Sequence, residues 1–269
     1  GFEIIGHTES SRSAAIANKQ KMIFGIQFHP EVVHTEKGND ILKNFVLKVC
    51  NANQDWTMER FVENSIEKIS KVDGNVLCGV SGGIDSTVTA LLIHKAIGNR
   101  LKCVFVDNGL LRLNEVEEIE NMFNKNFEVN FTKIDGQEQF LSKLTGVVDP
   151  EEKRKIVGEE FVNIFTKFSK ENEPFTWLAQ GTLYPDVIES GVSKGPASVI
   201  KTHHNVGGLP DWLHLKVLEP LRDLYKDEVR KIAKIIGVPQ NLLMRHPFPG
   251  PGLAVRIIGE VTKKKLDIT

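Results

Sequence analysis

The hydrophobic residues in the first fifty positions form strand-like segments followed by one helical pattern. Three apolar segments predict short β-strands, at 1–9, 13–20 and 22–29. The polar residues 18–21 predict a hairpin turn between the second and third strands. From Gly38 the apolar residues recur at helical spacing, and the polar segment 51–57 then predicts a linker. The pattern therefore predicts a first structural part that ends near residue 52.

Beyond this boundary, strand and helix patterns alternate. The predicted strands lie at 75–80, 102–107, 129–135, 175–180 and 216–221. The predicted helices lie at 57–70, 84–97, 114–124, 150–169 and 226–237. Because alternating strands and helices build parallel sheets with helices on both faces, the chain is predicted to be an α/β protein with a doubly wound, mostly parallel sheet.

Four local patterns refine this prediction. Asp149 followed by Pro150, with an acidic residue three positions after Asp149, is typical of a capped helix start. The segment 190–210 is rich in small and polar residues without a sustained period, so it predicts a long loop that could act as a mobile lid. The proline-rich segment 247–252 excludes regular structure, and the apolar segment 254–261 predicts one more strand.

The composition excludes several functional classes. Thirty-four basic and thirty-five acidic side chains give a net charge of −1, so no overall field attracts nucleic acid or an acidic membrane. No segment reaches transmembrane length, and the three cysteines, Cys50, Cys78 and Cys103, lack metal-site spacing. We expect all three to be reduced packing residues of a cytoplasmic protein. The first residues carry neither a starting methionine nor a signal peptide, which suggests an internal fragment.

The sequence SGGIDST, residues 81–87, follows a buried strand and begins a predicted helix. Two glycines and several hydroxyls at a helix N-terminus are suited to binding phosphate. The motif contains no lysine, and Asp85 would repel a phosphate about 4 Å away by about 4 kcal/mol at a surface-like dielectric. A bridging Mg²⁺ would reverse this repulsion. The alternative is an ordinary strand-to-helix connection in which Ser81 or Asp85 caps the helix.

This motif resembles the PP-loop of the ATP pyrophosphatases, which split ATP between its α and β phosphates. Five further segments, at 105–112, 146–161, 180–190, 200–210 and 245–256, resemble the glutamine-hydrolysing GMP synthase family. The resemblance implies that ATP adenylates the C2 oxygen of xanthosine monophosphate (XMP). Ammonia from glutamine then displaces AMP and leaves GMP. ATP and Mg²⁺ are the implied cofactors, and a homodimer is implied where the family's C-terminal domain is present.

The resemblance also implies which residues form the site. The implied ATP-binding residues are Ser81, Gly82, Gly83, Ile84, Asp85, Ser86, Thr87, Val106, Gly109 and Gly181, with Asp85 on Mg²⁺. The implied residues of the lid region are Asp186, Glu189, Lys201, His203 and His204. The implied XMP-binding residues are Arg154, Pro249, Gly250, Gly252 and Arg256. For the basic triplet 153–155, a solvated helix face is the alternative, and it explains Lys153 and Lys155 better.

The segment GIQFHPEV, residues 25–32, places His29 and Glu31 two positions apart after a predicted strand. It resembles the end of a class I glutamine amidotransferase domain, in which the histidine activates a cysteine and the glutamate orients the imidazole. None of the three cysteines is suitably placed to be that nucleophile. We therefore expect residues 1–52 to be the end of an amidotransferase domain, 53–240 a PP-loop domain, and 241–269 the start of a dimerisation and XMP-binding domain.

Three other interpretations remain open. The chain could be another PP-loop ligase, such as an NAD, asparagine or argininosuccinate synthetase, although the HPE and RHPFPGPG segments argue against each. It could be a nucleotide-binding module without catalysis, which would need neither Asp85 nor the acidic lid residues. An interaction scaffold is the third possibility, but it would not require an aspartate beside a phosphate-binding turn.

Overall fold

The computed structural model describes residues 1–172, 174–191, 215–244 and 248–268. The chain divides into two compact units, Gly1–Thr57 and Met58–Thr269. The sequence boundary expected near residue 52 lies a few residues before this division. In the described part of the chain, no helix has the length and apolar character needed to cross a membrane.

The first unit contains a small antiparallel sheet and one helix. Its strands, in the order β1-β2-β3, are Glu3–Gly6, Ala15–Asn18 and Ile23–Ile26. The predicted hairpin turn is present, and the Lys21 backbone N–H donates to the Asn18 side chain at 3.0 Å. Helix α1, Gly38–Asn44, continues into a π-helical turn at Phe45–Val49. The three strands and the helix that the sequence predicted for this unit are confirmed.

The second unit is built on a five-stranded sheet in which every pair of neighbours is parallel. The strands are β4 Asn75–Gly79, β5 Leu101–Asp107, β6 Phe131–Asp135, β7 Phe175–Ala179 and β8 Lys216–Leu218. Their order across the sheet is β6-β5-β4-β7-β8. The chain thus winds in one direction from β4 to β6 and then returns to the other side of β4, so the predicted doubly wound parallel fold is confirmed.

Among the described residues of this unit, the helices agree with the predicted pattern, with four additions. They are α2 Met58–Ser70, α3 Ile84–Ile97, α4 Glu115–Asn121, α5 Gln137–Lys143, α6 Pro150–Glu171, α7 Tyr184–Gly191, α8 Lys226–Ile235, α9 Gln240–Leu243 and α10 Lys263–Leu266. Helices α5, α7, α9 and α10 were not predicted. None exceeds eight residues, so each carries too few apolar positions to show a helical period.

The side chains of the sheet pack into two hydrophobic clusters, one on each face. Val76 and Cys78 of β4 belong to the cluster with α2, α3 and α8, whereas Leu77 between them belongs to the cluster with α5 and α6. Cys78 and Cys103 are buried neighbours on adjacent strands, as predicted. Cys50 is exposed, so its prediction as a packing residue is wrong.

Helix α6 begins as its sequence predicted. The Asp149 carboxylate accepts hydrogen bonds from the backbone N–H groups of Glu151 and Glu152, at 3.0 and 2.8 Å, and Pro150 occupies the first turn. The predicted solvated face is wrong for Lys153, whose side chain is fully buried. Its ammonium group donates to the carbonyl oxygens of Ile257 and Gly259, at 2.8 and 2.5 Å.

The strand predicted at 254–261 is not formed. A 3₁₀ turn, Gly252–Val255, is followed by irregular chain. The carbonyl oxygens of this segment accept from two lysine side chains rather than from a neighbouring strand. Lys153 bonds to Ile257 and Gly259, and the Lys265 ammonium donates to the carbonyls of Ile258 and Glu260, both at 3.0 Å. One buried and one exposed lysine donor therefore satisfy the carbonyl groups that strand pairing would otherwise satisfy.

Candidate active site

The site expected from the sequence lies where the winding of the sheet reverses. Strand β4 has β5 on one side and β7 on the other, so the direction in which the chain adds strands to the sheet reverses at β4. Such a point opens a crevice at the carboxyl ends of the strands, and ligands of open α/β sheets bind there. The SGGIDST motif leaves β4 at this position, and Gly181 leaves β7.

Hydrogen bonds among its own residues fix the conformation of the PP-loop. Gly82 has a φ of +72°, a conformation that favours glycine. The Ser81 and Ser86 hydroxyls lie 3.2 Å apart, and the Ser86 hydroxyl donates to the Gly83 carbonyl at 3.1 Å. Thr87 is fully buried and its hydroxyl donates to the same carbonyl at 2.9 Å. Thr87 therefore shapes the loop, while Ser81 and Gly83 are exposed at its surface.

Asp85 lies at the start of α3 and pairs with a lysine from a distant part of the chain. The Lys226 ammonium group, on the first residue of α8, lies 2.5 Å from Asp85 Oδ2. The other carboxylate oxygen, Oδ1, is buried and has no hydrogen-bond partner among the described residues. Asp85 therefore does not cap its helix. The lysine that the motif lacks is supplied by the tertiary structure, 141 positions further along the chain.

Gly181, expected at the ATP site, packs directly against this aspartate. A Cβ atom at Gly181 would lie 3.1 Å from the Asp85 carbonyl carbon and 3.3 Å from its Cβ. Two hydrogen bonds join the same loop to the segment that precedes α8: Gln180 N–H donates to Leu218 O at 2.9 Å, and Tyr184 N–H to Leu224 O at 3.0 Å. The loops after β4 and β7 and the start of α8 thus converge on Asp85.

The segment after β5 has a side-chain network of its own. Val106 is buried in the core, so only its backbone could contact a nucleotide. The Asp107 carboxylate accepts from the Gly109 N–H at 3.0 Å and from the Gln137 side-chain amide at 2.9 Å. Gly109 has a φ of +68°. A cleft of about 630 Å³ lies beside Gly109 and Gln137 and is bounded on its other side by the segment 260–267.

The lid-region residues lie partly outside the described chain. Lys201, His203 and His204 fall outside it, as does most of the loop predicted at 190–210. Asp186 lies in the first turn of α7, and its carboxylate accepts from the Leu183 N–H at 2.9 Å. This contact stabilises the start of the helix. Glu189 lies in the same helix, one turn later.

The residues expected to bind XMP lie on α6 and on the C-terminal segment. Arg154 donates to the Glu151 carboxylate at 2.8 Å. Pro249 and Gly250 belong to irregular chain. Gly252 begins the 3₁₀ turn with a φ of +62°, and the following N–H group, of Leu253, donates to Leu110 O at 2.7 Å.

Arg256 and an arginine that the sequence did not single out share one aromatic ring. The guanidinium carbons of Arg112 and Arg256 lie 4.4 and 5.1 Å from the centroid of Phe248. Arg112 also bonds to Glu115, with its backbone N–H 2.9 Å from the carboxylate. Arg112 belongs to the loop after β5 and Arg256 to the C-terminal segment, so these two segments meet at the Phe248 ring.

The donor set around Asp85 can be compared with what Mg²⁺ requires. Protein Mg²⁺ sites at phosphates use one or two carboxylates, with phosphate and water oxygens completing the coordination. Asp85 offers one such carboxylate, and its buried Oδ1 has an unused acceptor. In the described part of the chain, no group of three or more His, Cys, Asp or Glu side chains could hold a metal by itself. The residues therefore fit a metal that arrives with its phosphates.

His29 and Glu31 of the first unit are brought together as the sequence predicted. His29 Nδ1 lies 2.7 Å from Glu31 Oε1, and both side chains are exposed. Hydrogen bonding to the backbone of Glu31, and secondly to His29, lowers the pKa of the Glu31 carboxyl. The Thr35 hydroxyl donates to the His29 carbonyl at 2.6 Å. An ionised glutamate in this position orients the exposed imidazole and favours a proton on Nδ1.

Comparisons with known proteins match the two units of the chain to two different families. Residues 1–49 match the model of the class-I glutamine amidotransferase family, and residues 56–162 match the NAD synthase family. Among solved structures, NMN synthetase from Francisella tularensis superposes with a TM-score of 0.56 at 16% identity, over 80% of this chain and 83% of that one. NAD⁺ synthetase from Burkholderia pseudomallei gives 0.52 at 14% identity, over 80% and 81%. At these identities the structural matches show the fold alone.

Curated relatives match the entire chain. It is 54% identical to the glutamine-hydrolysing GMP synthase of Acetivibrio thermocellus, over 100% of this chain and 53% of that protein. It is 53% identical to the enzyme of Vibrio vulnificus, over 100% and 52%. The chain thus spans about half the length of the curated relatives it matches. The chain belongs to the glutamine-hydrolysing GMP synthase family. In it, a segment that matches class-I glutamine amidotransferases is followed by a segment that matches the NAD synthase family.

Proposed function

We propose that this chain carries the ATP-cleaving site of a GMP synthase. ATP adenylates the C2 oxygen of XMP, and ammonia derived from glutamine then displaces AMP to give GMP. The observation that carries this proposal is the SGGIDST loop at the switch point of a parallel sheet, in a chain 54% identical to a GMP synthase along its whole length. This position supports the proposal, because ligands of open α/β sheets bind at the carboxyl ends of strands and a glycine-rich loop at a helix N-terminus is suited to binding anions.

The described residues support distinct roles around the nucleotide. Ser81, Gly83 and Ser86 hold the β and γ phosphates, and Asp85 binds Mg²⁺, which neutralises phosphate charge when bound. The segment from Val106 to Gly109, together with Gly181, lines the adenosine. Arg154 and Arg256 bind XMP through their guanidinium groups. Gly250 binds it through its backbone N–H, while Pro249 and Gly252 form the turn that positions this group.

The lid residues complete the proposal. Asp186, Glu189, Lys201, His203 and His204 contact the reacting phosphate region and stabilise charge as the α phosphate is attacked. His29 and Glu31 act in glutamine hydrolysis, together with a cysteine nucleophile other than Cys50, Cys78 and Cys103. A homodimer and a cytoplasmic location are part of the same proposal.

The test of this function is the fate of ATP in the presence of XMP, Mg²⁺ and ammonium. We expect XMP-dependent formation of AMP and pyrophosphate, measured by chromatography of radiolabelled ATP. Asp85→Asn removes one charged ligand and should lower pyrophosphate release by at least ~10²-fold, equivalent to about 2.7 kcal/mol in the barrier. Formation of ADP and phosphate by the unchanged protein would contradict the proposal.

A matched control separates chemistry from folding. Asp73 is exposed before β4, at the opposite end of that strand from the PP-loop, and its carboxylate accepts from Trp177 Nε1 at 3.2 Å. Asp73→Asn keeps an oxygen for this bond and should leave pyrophosphate release within about twofold of the unchanged protein, a difference of roughly 0.4 kcal/mol. Both variants should melt near the temperature of the unchanged protein.

A further inference from the structure

The contact between Asp107 and Gln137 fixes the direction in which one side-chain amide faces. Asp107 ends β5 and is buried, with 7% of its surface exposed. Its two carboxylate oxygens accept from the Gly109 N–H at 3.0 Å and from Gln137 Nε2 at 2.9 Å. Because a carboxylate can only accept hydrogen bonds, the amide nitrogen of Gln137 must face Asp107, and the carbonyl oxygen Oε1 must face away from it.

The stem of the Gln137 side chain is fixed as well. A Cβ atom at Gly109 would lie 3.2 Å from both Cβ and Cγ of Gln137, so the backbone of the glycine lies directly against this stem. The Gln137 backbone N–H donates to the Asp135 carboxylate at 3.1 Å. Gln137 is nevertheless exposed. A side chain that is held at its stem and its nitrogen can present its carbonyl oxygen to a ligand that carries a hydrogen-bond donor.

The cleft of about 630 Å³ beside Gly109 and Gln137 has the size of a small-ligand site. Leu141, Val261 and Leu266 contribute apolar surface to it. The PP-loop follows β4, Gly109 follows β5 and Gln137 follows β6, and these three strands are consecutive neighbours in the sheet. Neighbouring strands lie about 4.8 Å apart, so a nucleotide with its phosphates on the PP-loop and its ribose over β5 would reach this cleft with its base.

We propose that Gln137 selects adenine among the purine bases and that Asp107 is the positioning residue for its amide. This inference rests on the proposed function and deepens it, because it names the group that reads the base of ATP. The 6-amino group of adenine donates a hydrogen bond to Gln137 Oε1. Hypoxanthine and guanine carry a carbonyl oxygen at the same position, and two facing acceptors repel each other, so a 6-oxo base is disfavoured.

The orientation of the amide can be reversed without a change in the size of any side chain. In Asp107→Asn, the side-chain oxygen can still accept from the Gly109 N–H, and the new amide group then faces Gln137. The Gln137 amide should turn over to accept from it, which presents Nε2, a donor, to the cleft. The preference should thus move from a 6-amino base toward a 6-oxo base.

The test compares ATP with inosine triphosphate (ITP), whose base carries the 6-oxo group. We would measure both affinities of the 269-residue chain by titration calorimetry with Mg²⁺ present. Their ratio is taken within each variant, so a general loss of binding or of folded protein cancels. The unchanged protein should bind ATP roughly tenfold or more tightly than ITP. Asp107→Asn and Gln137→Leu should each lower this ratio at least about fivefold.

The double variant separates the orientation of the amide from other effects of charge. Without the Gln137 amide there is nothing for Asp107→Asn to turn over, so the double variant should have the same ratio as Gln137→Leu. Asp135→Asn is the matched control, because it removes the same charge beside the same residue but bonds to the backbone N–H of Gln137. This control should keep the ratio within about twofold of that of the unchanged protein.

Three results would overturn this inference and leave the proposed function intact. The first is binding of ATP and ITP with equal affinity by the unchanged protein, and the second is a ratio that Gln137→Leu does not change. The third is an effect of Asp107→Asn that persists in the Gln137→Leu background or is matched by Asp135→Asn, since it would not act through the amide. If neither nucleotide binds, the proposed function is wrong as well.

Discussion

At the scale of single residues, the structure assigns unexpected positions to two lysines. Lys226 reaches the PP-loop, and Lys153 lies fully buried beneath the C-terminal segment. Lys153 adjoins Arg154 and binds the chain that follows Arg256, so it fixes the distance between two residues proposed to bind XMP. A lysine in a basic triplet thus acts as a structural cross-link.

Replacing Lys153 with methionine should destabilise the protein. The carbonyl oxygens of Ile257 and Gly259 would lose their donor, at a cost of about 1–3 kcal/mol each, partly offset because a buried charge is removed. We expect a net loss of about 2 kcal/mol in the free energy of unfolding, measured in urea. Lys155→Met, on an exposed position of the same helix, should change it by less than about 0.5 kcal/mol. Equal stabilities of the two variants would contradict the cross-link.

The pH dependence of this difference has a definite sign. Burial, and secondly the nearby Lys265, lower the pKa of Lys153, while Asp149 opposes the shift. The folded protein therefore releases this proton at a lower pH than the unfolded chain does. Between the lowered pKa and the ordinary lysine value, the unfolding free energy of the unchanged protein should rise relative to that of Lys153→Met. A difference that falls with pH in this range would argue against the assignment.

At the scale of elements, glycines set the close approach between segments of the nucleotide site. Gly252 joins the C-terminal segment to the loop after β5, and its φ of +62° lies in the left-handed region. A Cβ atom there would lie 2.3 Å from Leu110 O, the oxygen that accepts from Leu253 N–H. Gly158, in the middle of α6, has nothing within 4 Å of such an atom.

These two glycines should respond in opposite ways to alanine. Gly252→Ala combines backbone strain of about 1–3 kcal/mol with a clash against a carbonyl oxygen, so we expect at least that loss of stability. Gly158→Ala should stabilise α6 by about 0.5–1 kcal/mol, because glycine is unfavourable inside a helix. Urea unfolding of the two variants measures both effects. A Gly252→Ala protein as stable as the unchanged one would show that the segment moves away without cost.

At the scale of the whole molecule, the two units carry parts of two different chemistries. In the first unit, His29 and Glu31 form the hydrogen-bonded pair expected of an amidotransferase. Cys78 and Cys103 are buried in the sheet of the second unit, where a hydrogen bond to Cys78 and burial raise the pKa of Cys103. Cys50 follows the π-helical turn of the first unit.

We therefore expect residues 1–269 to release no glutamate from glutamine. The reason is that Cys78 and Cys103 are buried in the sheet of the second unit, and the raised pKa of Cys103 makes its thiol a poor nucleophile. A coupled glutamate dehydrogenase assay measures the release. Glutamate formation that disappears in Cys50→Ala would show that Cys50 is the nucleophile and that this expectation is wrong.

The sequence alone determined the features that depend on local pattern. The strand and helix periods predicted the parallel fold, Asp149 and Pro150 predicted the start of α6, and the HPE spacing predicted the contact of His29 with Glu31. Each of these depends on residues that are close in the chain, so propensity and spacing are sufficient. The seven-residue motif also predicted the glycine-rich connection between β4 and α3.

Only the tertiary structure decided which distant side chains meet. The sequence predicted a strand at 254–261, but the carbonyl oxygens of this segment accept hydrogen bonds from two lysine side chains. One of these lysines, Lys153, belongs to α6. The motif lacked a lysine, yet Lys226 lies against Asp85 because β7, β8 and α8 fold back beside β4. A long, flexible side chain carries no sequence signal of where its charge will lie, because that position depends on how elements far apart in the chain pack together.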